Sequence, residues 1–186
     1  MAMISETANP NYEALKISFF KAAEGHKLTA YADSEDIPTI GIGLNLTTVA
    51  GNNYQRVLEA LGINSSEVYY NQILAVINNT SWELNNDEKN DATLDSTQKR
   101  DARDARKMAE LNKILCNRKA ARVAYEDANS IPENERESNN YVTEFKLTEN
   151  QSIALFNQRV KASEDAVSAL FPNLTQYSNE YAEGVI

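Results

Sequence analysis

Apolar positions near the start of the chain repeat with the period of a helix. They fall on one helical face and are Tyr12, Leu15 and Phe19. Asn9 can cap this helix and Pro10 suits its first position. Gly25 predicts its end, because helices commonly end at a glycine that adopts positive φ.

The pattern then changes to that of strands. Residues 28–32 predict one strand, residues 33–36 a turn, and residues 37–42 a second strand that runs back beside the first. Gly41 and Gly43 lie at the end of the second strand. They indicate a place where backbone segments approach closely.

Helices dominate the rest of the chain. Residues 54–62 predict a short helix and residues 64–77 another, whereas the asparagine-rich residues 78–96 predict a loop. Residues 97–128 predict a long, highly charged helix. The apolar seam of this long helix consists of Met108, Leu111 and Leu115.

A last helix has a clear start. Thr148 and Gln151 have the spacing of a capping box, and Pro172 predicts the end of the helix. The predicted buried face consists of Ile153, Phe156, Val160 and Val167.

Composition narrows the classes of function. The net charge of −9 argues against nucleic-acid binding, which selects for basic surfaces. With one cysteine, Cys116, and one histidine, His26, the chain has no intramolecular disulfide and lacks the usual ligands of a metal site. We expect Cys116 to be a buried structural thiol, because it follows Leu115 in a helical pattern. The sequence predicts neither a membrane span nor a signal peptide.

Three residues near the first helix form a candidate catalytic group. Glu24 lies at the carboxyl end of the helix, where a carboxylate faces the negative pole of the helix dipole at a cost of about 0.3–1 kcal/mol. Destabilising the charged form suits a general acid. Asp33 lies at the predicted turn and Thr39 on the return strand, so both can face the end of the helix.

Each of these residues also has an ordinary structural interpretation. Glu24 can be an exposed residue at a helix end, Asp33 a turn residue that satisfies backbone N–H groups, and Thr39 a residue with β propensity. Taken singly, the ordinary interpretation is the better one for each. Their shared spacing favours the catalytic interpretation.

The segment from Glu24 to Gly43 resembles the active-site segment of the phage-type lysozymes of glycoside hydrolase family 24. The family motif is Glu-Gly, then a leucine, a tyrosine and an aspartate, then Thr-Ile-Gly-x-Gly, and every spacing matches without a gap. Downstream, residues 147–151 (LTENQ) and 155–160 (LFNQRV) resemble the helix that begins the family's second lobe. One departure is Leu44, which stands where the family usually has a histidine.

This resemblance implies hydrolysis of the β-1,4 bond between N-acetylmuramic acid and N-acetylglucosamine in peptidoglycan, with inversion and without a cofactor. Glu24 would protonate the glycosidic oxygen. Asp33 would stabilise the oxocarbenium-like centre and, with Thr39, position a water on the opposite face. The supporting and substrate-binding residues would be Tyr31, Ile42 and Gly43.

The resemblance and the predicted elements together imply an α+β, lysozyme-like fold: a small antiparallel sheet with helices, plus a helical insertion. Residues 1–63 would form the N-terminal catalytic lobe and residues 64–146 a charged helical insertion. Residues 147–186 would form the helix between the lobes and the start of a C-terminal lobe. The family leads us to expect further helices after Ile186.

A second interpretation retains the lysozyme-like lobe without catalysis, as a structural or interaction module of a phage particle. The long insertion, the acidic charge and the end of the sequence at Ile186, before the helices that the family leads us to expect, favour it. The expected partners are bacterial peptidoglycan and, through residues 64–146, other virion or tail proteins. The expected location is the virion, or the host cytoplasm before release to the cell wall.

Overall fold

A computed structural model describes residues 11–47, 52–79 and 81–170. In these ranges the helices are α1 (Tyr12–Glu24), α2 (Asn53–Ala60), α3 (Val68–Asn79), α4 (Asn86–Asn90), α5 (Ser96–Ala128) and α6 (Glu149–Leu170). The strands are β1 (Lys27–Ala32), β2 (Pro38–Gly41) and β3 (Leu44–Asn45). Two short 3-10 turns, Glu133–Glu135 and Glu137–Asn140, lie between α5 and α6. The predicted α+β class is confirmed.

The sheet is antiparallel in the order β1-β2-β3. Tyr31 lies opposite Thr39, and Thr39 in turn lies opposite Asn45. The third strand has only two residues, too few to show an alternating pattern, and the sequence did not predict it. The outer edge of β1 is also partly covered, because the Leu147 N–H donates to the Leu28 carbonyl at 2.9 Å.

Helix α5 confirms the predicted long helix to within one residue at its start. Asp95 caps it and forms a capping box with Gln98, since each residue's side chain accepts a hydrogen bond from the other's backbone N–H. The predicted seam is confirmed at Leu111 and Leu115, which are fully buried. The prediction for Cys116 was wrong: its thiol is exposed, because the next residue after the seam points about 100° away around the helix.

One hydrophobic cluster joins the sheet to the predicted insertion. Buried side chains come from all three predicted regions: Ile40, Leu44, Leu46, Leu58, Ile73, Ile77, Trp82, Leu111, Leu115, Phe145, Leu147 and Leu155. Residues 64–146 therefore pack into the same core as the sheet and do not form a core of their own.

Helix α1 buries a face turned away from the predicted one. Tyr12 is buried, but Leu15 and Phe19 are 52% and 67% exposed. The neighbouring helix α6 instead contacts the side of α1 that carries Lys16 and Phe20. The Lys16 ammonium is buried and bonds to the buried Glu164 carboxylate at 2.9 Å, so a paired charge occupies part of the apolar interface.

Helix α6 begins as predicted. The Thr148 N–H donates to Gln151 Oε1 at 2.8 Å, and the Gln151 N–H donates to Thr148 Oγ1 at 3.2 Å, which completes the capping box. Phe156 is buried, whereas Ile153 and Val160 are half-buried. The most deeply buried positions of the helix are Ser152, Leu155 and Phe156.

Several predicted boundaries moved by a few residues. Helix α3 begins at Val68, because a turn closed by the hydrogen bond from Glu67 N–H to the Asn64 carbonyl precedes it. The short helix α4 lies inside the predicted loop.

The predictions for Asn9, Pro10, Pro172 and the Val167 side chain lie outside what the structure describes. No helix in the described ranges is long and apolar enough to cross a membrane.

Candidate active site

Glu24 is the last residue of α1, and Gly25 follows it with φ of +76°. This positive φ turns the chain sharply from the helix into β1, as the glycine predicted. Contacts with α6 stabilise this connection between α1 and β1, because Lys21 and His26 both pair with Glu149. The end of α1, and with it Glu24, is thus held against the start of α6.

The Glu24 side chain lies directly against Gly43. A Cβ added to Gly43 would lie 3.0 Å from Glu24 Oε2 and 3.1 Å from Glu24 Cβ, and Gly43 has φ of +61°. A side chain at this position would therefore displace the Glu24 carboxylate as well as strain the backbone. Gly41 packs in a similar way on the Ser152 side chain, so the close contacts at both glycines are with side chains, whereas the sequence predicted a close approach of backbone segments.

Arg159 of α6 reaches the same place. Its Nη1 donates to the Gly43 carbonyl at 2.6 Å, and the same guanidinium nitrogen would lie 3.5 Å from a Cβ on Gly43. Glu24 and Arg159 thus both approach the face of Gly43 on which a side chain would lie. Among the described residues, Glu24 itself has no hydrogen bond or ion pair, so its carboxylate is free to engage a ligand.

Asp33 begins the tight turn between β1 and β2. Its Oδ1 accepts hydrogen bonds from the N–H groups of Glu35 at 2.9 Å and Ile37 at 3.0 Å. This is the turn-stabilising role of an ordinary aspartate, and it uses only one of the two carboxylate oxygens. In the described part of the chain, Oδ2 accepts no hydrogen bond.

The Tyr31 hydroxyl is affected by the charges of both carboxylates. Burial raises the pKa of its hydroxyl, and the negative charges of Asp33, Glu24 and Asp104 raise it further. Both Glu24 and Asp33 are therefore near enough to act electrostatically on the same phenol. The hydroxyl also lies 4.0 Å from the position of a Cβ on Gly25, which places it beside the end of α1. We call Glu24, Tyr31, Asp33, Gly43 and Arg159 the carboxylate site.

Two further predicted residues are buried. Thr39 is buried opposite Tyr31, and its hydroxyl donates to the Ile37 carbonyl at 3.1 Å. Ile42 is fully buried, so its side chain can support the site only through packing. The structure thus places Glu24 against Gly43 and Thr39 opposite Tyr31, while Asp33 begins the turn that follows β1.

Sequence reasoning missed three charged residues. Arg159 occupies the variable position of LFNQRV, and nothing local marks it as part of a site. Arg103 and Asp104 lie on the charged helix α5, which predicted a solvated face. Both contact the backbone at Ala32, next to Asp33. Arg159 is one of only two basic residues after Leu147, the one sequence signal that could have singled it out.

The carboxylate site offers two acids, a phenol and a guanidinium. Such a set can donate a proton, accept one and bind an anionic or polyhydroxylated ligand. Within the described ranges, no group of three His, Cys, Asp or Glu residues is arranged to hold a metal ion. Comparisons of the chain with models of protein families, with curated proteins and with solved structures gave no match.

Proposed function

We propose that this chain is the catalytic lobe of a peptidoglycan muramidase, which hydrolyses the β-1,4 bond between N-acetylmuramic acid and N-acetylglucosamine. The observation that carries the proposal is that two carboxylates flank β1: Glu24, which lies against Gly43, and Asp33, which begins the turn after the strand. Each retains oxygen atoms that the fold does not use. The motif spacing from Glu24 to Gly43 supports the same activity.

Glu24 is the proposed general acid. It donates its proton to the glycosidic oxygen as the bond from that oxygen to C1 of the muramic acid breaks. Arg159, which approaches the same face of Gly43, then stabilises the carboxylate that remains.

Asp33 is the proposed general base. Its free Oδ2 can accept a proton from a water whose oxygen attacks C1 on the face opposite the leaving group. Thr39 donates its hydroxyl proton to Ile37, which leaves its oxygen as an acceptor that orients this water. The products are two chain ends, one of them a reducing muramic acid. Asp33 then releases its proton to solvent and Glu24 takes one up, which restores the starting state.

The proposed substrate is the bacterial cell wall, which the enzyme reaches as part of a phage particle or after release from the host cytoplasm. The charged surface of residues 64–146 stays a predicted contact with virion or tail proteins.

The test is release of soluble fragments from purified peptidoglycan by the full chain and by Glu24→Gln. We expect the variant to lose about 10²–10⁴ of the rate, which is the usual contribution of a general acid. Borohydride reduction of the products should yield muramitol, because cleavage leaves muramic acid at the reducing end.

Glu35→Gln is the matched control. It removes a carboxylate from the exposed turn beside Asp33 but leaves the Glu35 N–H bond to Asp33 in place. Its rate should stay within about twofold of that of the unaltered chain. Equal rates for Glu24→Gln and the control would refute the proposal. Binding of peptidoglycan without any release would favour the non-catalytic structural module instead.

A further inference from the structure

The turn that carries Asp33 is held from outside the sheet. Asp33 donates its N–H to the Ile37 carbonyl at 3.0 Å across the hairpin. Because hydrogen-bonded and non-bonded pairs alternate in an antiparallel ladder, the N–H and C=O of Ala32 point away from β2. They lie on the free edge of the sheet, where unpaired backbone groups need other partners.

Two consecutive residues of α5 supply these partners. Asp104 Oδ1 accepts the Ala32 N–H at 3.1 Å, and Arg103 Nη2 donates to the Ala32 carbonyl at 3.0 Å. The two side chains also bond to each other, since Arg103 Nε donates to Asp104 Oδ1 at 3.1 Å. Side chains of the insertion thus replace the neighbouring strand that the edge lacks.

Arg103 also reaches the far end of the same turn. Its Nη1 pairs with Asp36 Oδ1 at 2.5 Å. Asp36 adopts φ of +59°, which an L-residue other than glycine occupies at a cost that its surroundings must offset. The ion pair with Arg103 provides that offset, so one guanidinium spans the turn from Ala32 to Asp36.

Arg103 is one of several charged side chains that this helix buries. Its side chain is 2% exposed, although arginine is rarely buried unless every donor has an acceptor. Its acceptors are a carbonyl and two carboxylates, and all of them belong to the turn or to Asp104. The planar fork of arginine is suited to this set, which a lysine could not satisfy at one time.

We infer that Arg103 and Asp104 are positioning residues that fix the Asp33 turn, and that the insertion thereby sets the geometry of the proposed general base. This inference rests on the proposed function. Reaction rates depend steeply on such geometry, since a misplacement of about 1 Å can cost about 10²-fold. Residues 64–146 are therefore part of the catalytic apparatus as well as a surface for other partners.

The test compares Arg103→Gln with Arg118→Gln in the full chain. Arg118 is the control, because it is almost equally buried on α5 and binds a carbonyl, of Gly62, and a carboxylate, of Glu67, where Arg103 binds a carbonyl and two carboxylates. It lies away from the Asp33 turn. Both variants should lose similar stability, so any difference between them reports on the turn.

Two readouts are measured on both variants. The first is amide hydrogen exchange at Asp33 and Ile37, whose N–H groups bond across the turn. The second is kcat and KM on soluble peptidoglycan fragments. For Arg103→Gln relative to Arg118→Gln, we expect exchange at these amides at least about tenfold faster, and kcat at least about tenfold lower with little change in KM.

Equal exchange in the two variants would overturn the inference, and so would faster exchange with an unchanged kcat. A chain that releases nothing from peptidoglycan would refute the proposed function, while the exchange rates would still decide whether Arg103 fixes the turn.

Should Arg103→Gln fail to fold, Asp36→Asn serves as the second variant. It removes the exposed half of the pair at a backbone conformation that asparagine tolerates, and should shift both readouts in the same direction by a smaller factor.

Discussion

The carboxylate of Glu126 and those of the carboxylate site differ in how many of their oxygens accept hydrogen bonds. At the far end of α5, Glu126 is fully buried, and both of its oxygens are bonded, to Arg122 and to Ser138. At the carboxylate site, Glu24 has no partner among the described residues and Asp33 uses one oxygen of two. The bonds of Glu126 hold the segment at Ser138 against α5. The unbonded oxygens of the carboxylate site remain available to a ligand.

The electrostatics follow the same division. Burial alone would raise the pKa of Glu126, but hydrogen bonds from Ser138 and Arg122 outweigh burial and lower the pKa to about 2. That carboxylate stays charged and its protons are not available for chemistry near neutral pH. A carboxylate with a perturbed pKa is structural when all of its oxygens are bonded within the fold. Candidates for catalysis are instead carboxylates that keep unbonded oxygens.

The largest effect on stability should come from Glu126→Ala. It leaves the buried Ser138 N–H without its acceptor, so we expect the thermal unfolding midpoint to fall by about 10 °C, measured by circular dichroism. Activity per folded molecule should not change, because the residue lies far along α5 from the Asp33 turn.

Low pH should reduce the difference in unfolding midpoint between the unaltered chain and Glu126→Ala. The pKa of Glu126 is about 2 in the folded protein against an ordinary 4.5, so its contribution to stability is present above pH 4.5 and is lost as pH falls toward 2. Glu110→Ala, which removes a half-exposed partner of Lys107 on the same helix, is the control and should shift the midpoint by about 2 °C or less. A similar loss in both variants would mean that Glu126 is not a structural centre.

Alanine substitution of two glycines with similar positive φ should have a smaller effect on stability. Gly43 has φ of +61° and Gly62 has φ of +70°, but only Gly43 has the Glu24 carboxylate against it, since nothing lies within 4 Å of a Cβ on Gly62. Each substitution by alanine should cost about 1 kcal/mol of unfolding free energy, measured by urea titration.

Only Gly43→Ala should also lower activity, by about tenfold or more, because the added methyl displaces Glu24. The activity of Gly62→Ala serves as the reference for backbone strain alone. If the two variants kept equal activity, the position of Glu24 against Gly43 would have no part in the reaction.

The elements of the fold were predictable where local patterns decide them. The seam of Leu111 and Leu115 and the capping box of Thr148 and Gln151 are local signals, and the structure follows them. Cys116 was misjudged because one residue's step around a helix is enough to leave the seam. The exposed Leu15 and Phe19 show that an apolar stripe does not fix which side of a helix a neighbour covers.

The site was predictable only in part for a similar reason. Glu24, Asp33 and Gly43 lie within one short segment, so their spacing is visible in the sequence. Arg103 meets its partners in the turn across about seventy positions of the chain, and Arg159 meets Gly43 across more than a hundred. Charged residues of this kind are usually solvated, and only the folded chain brings them to acceptors that permit burial or close contact.

The most direct test of the central claim is the rate of peptidoglycan hydrolysis by Asp33→Asn. Asparagine retains an oxygen that can accept the Glu35 and Ile37 N–H groups, so the turn keeps its structure while the negative charge disappears. We expect an unchanged unfolding midpoint and a rate at least about 10²-fold lower, because the general base is lost. A rate within about twofold of that of the unaltered chain would contradict the account and leave Asp33 as a turn residue only.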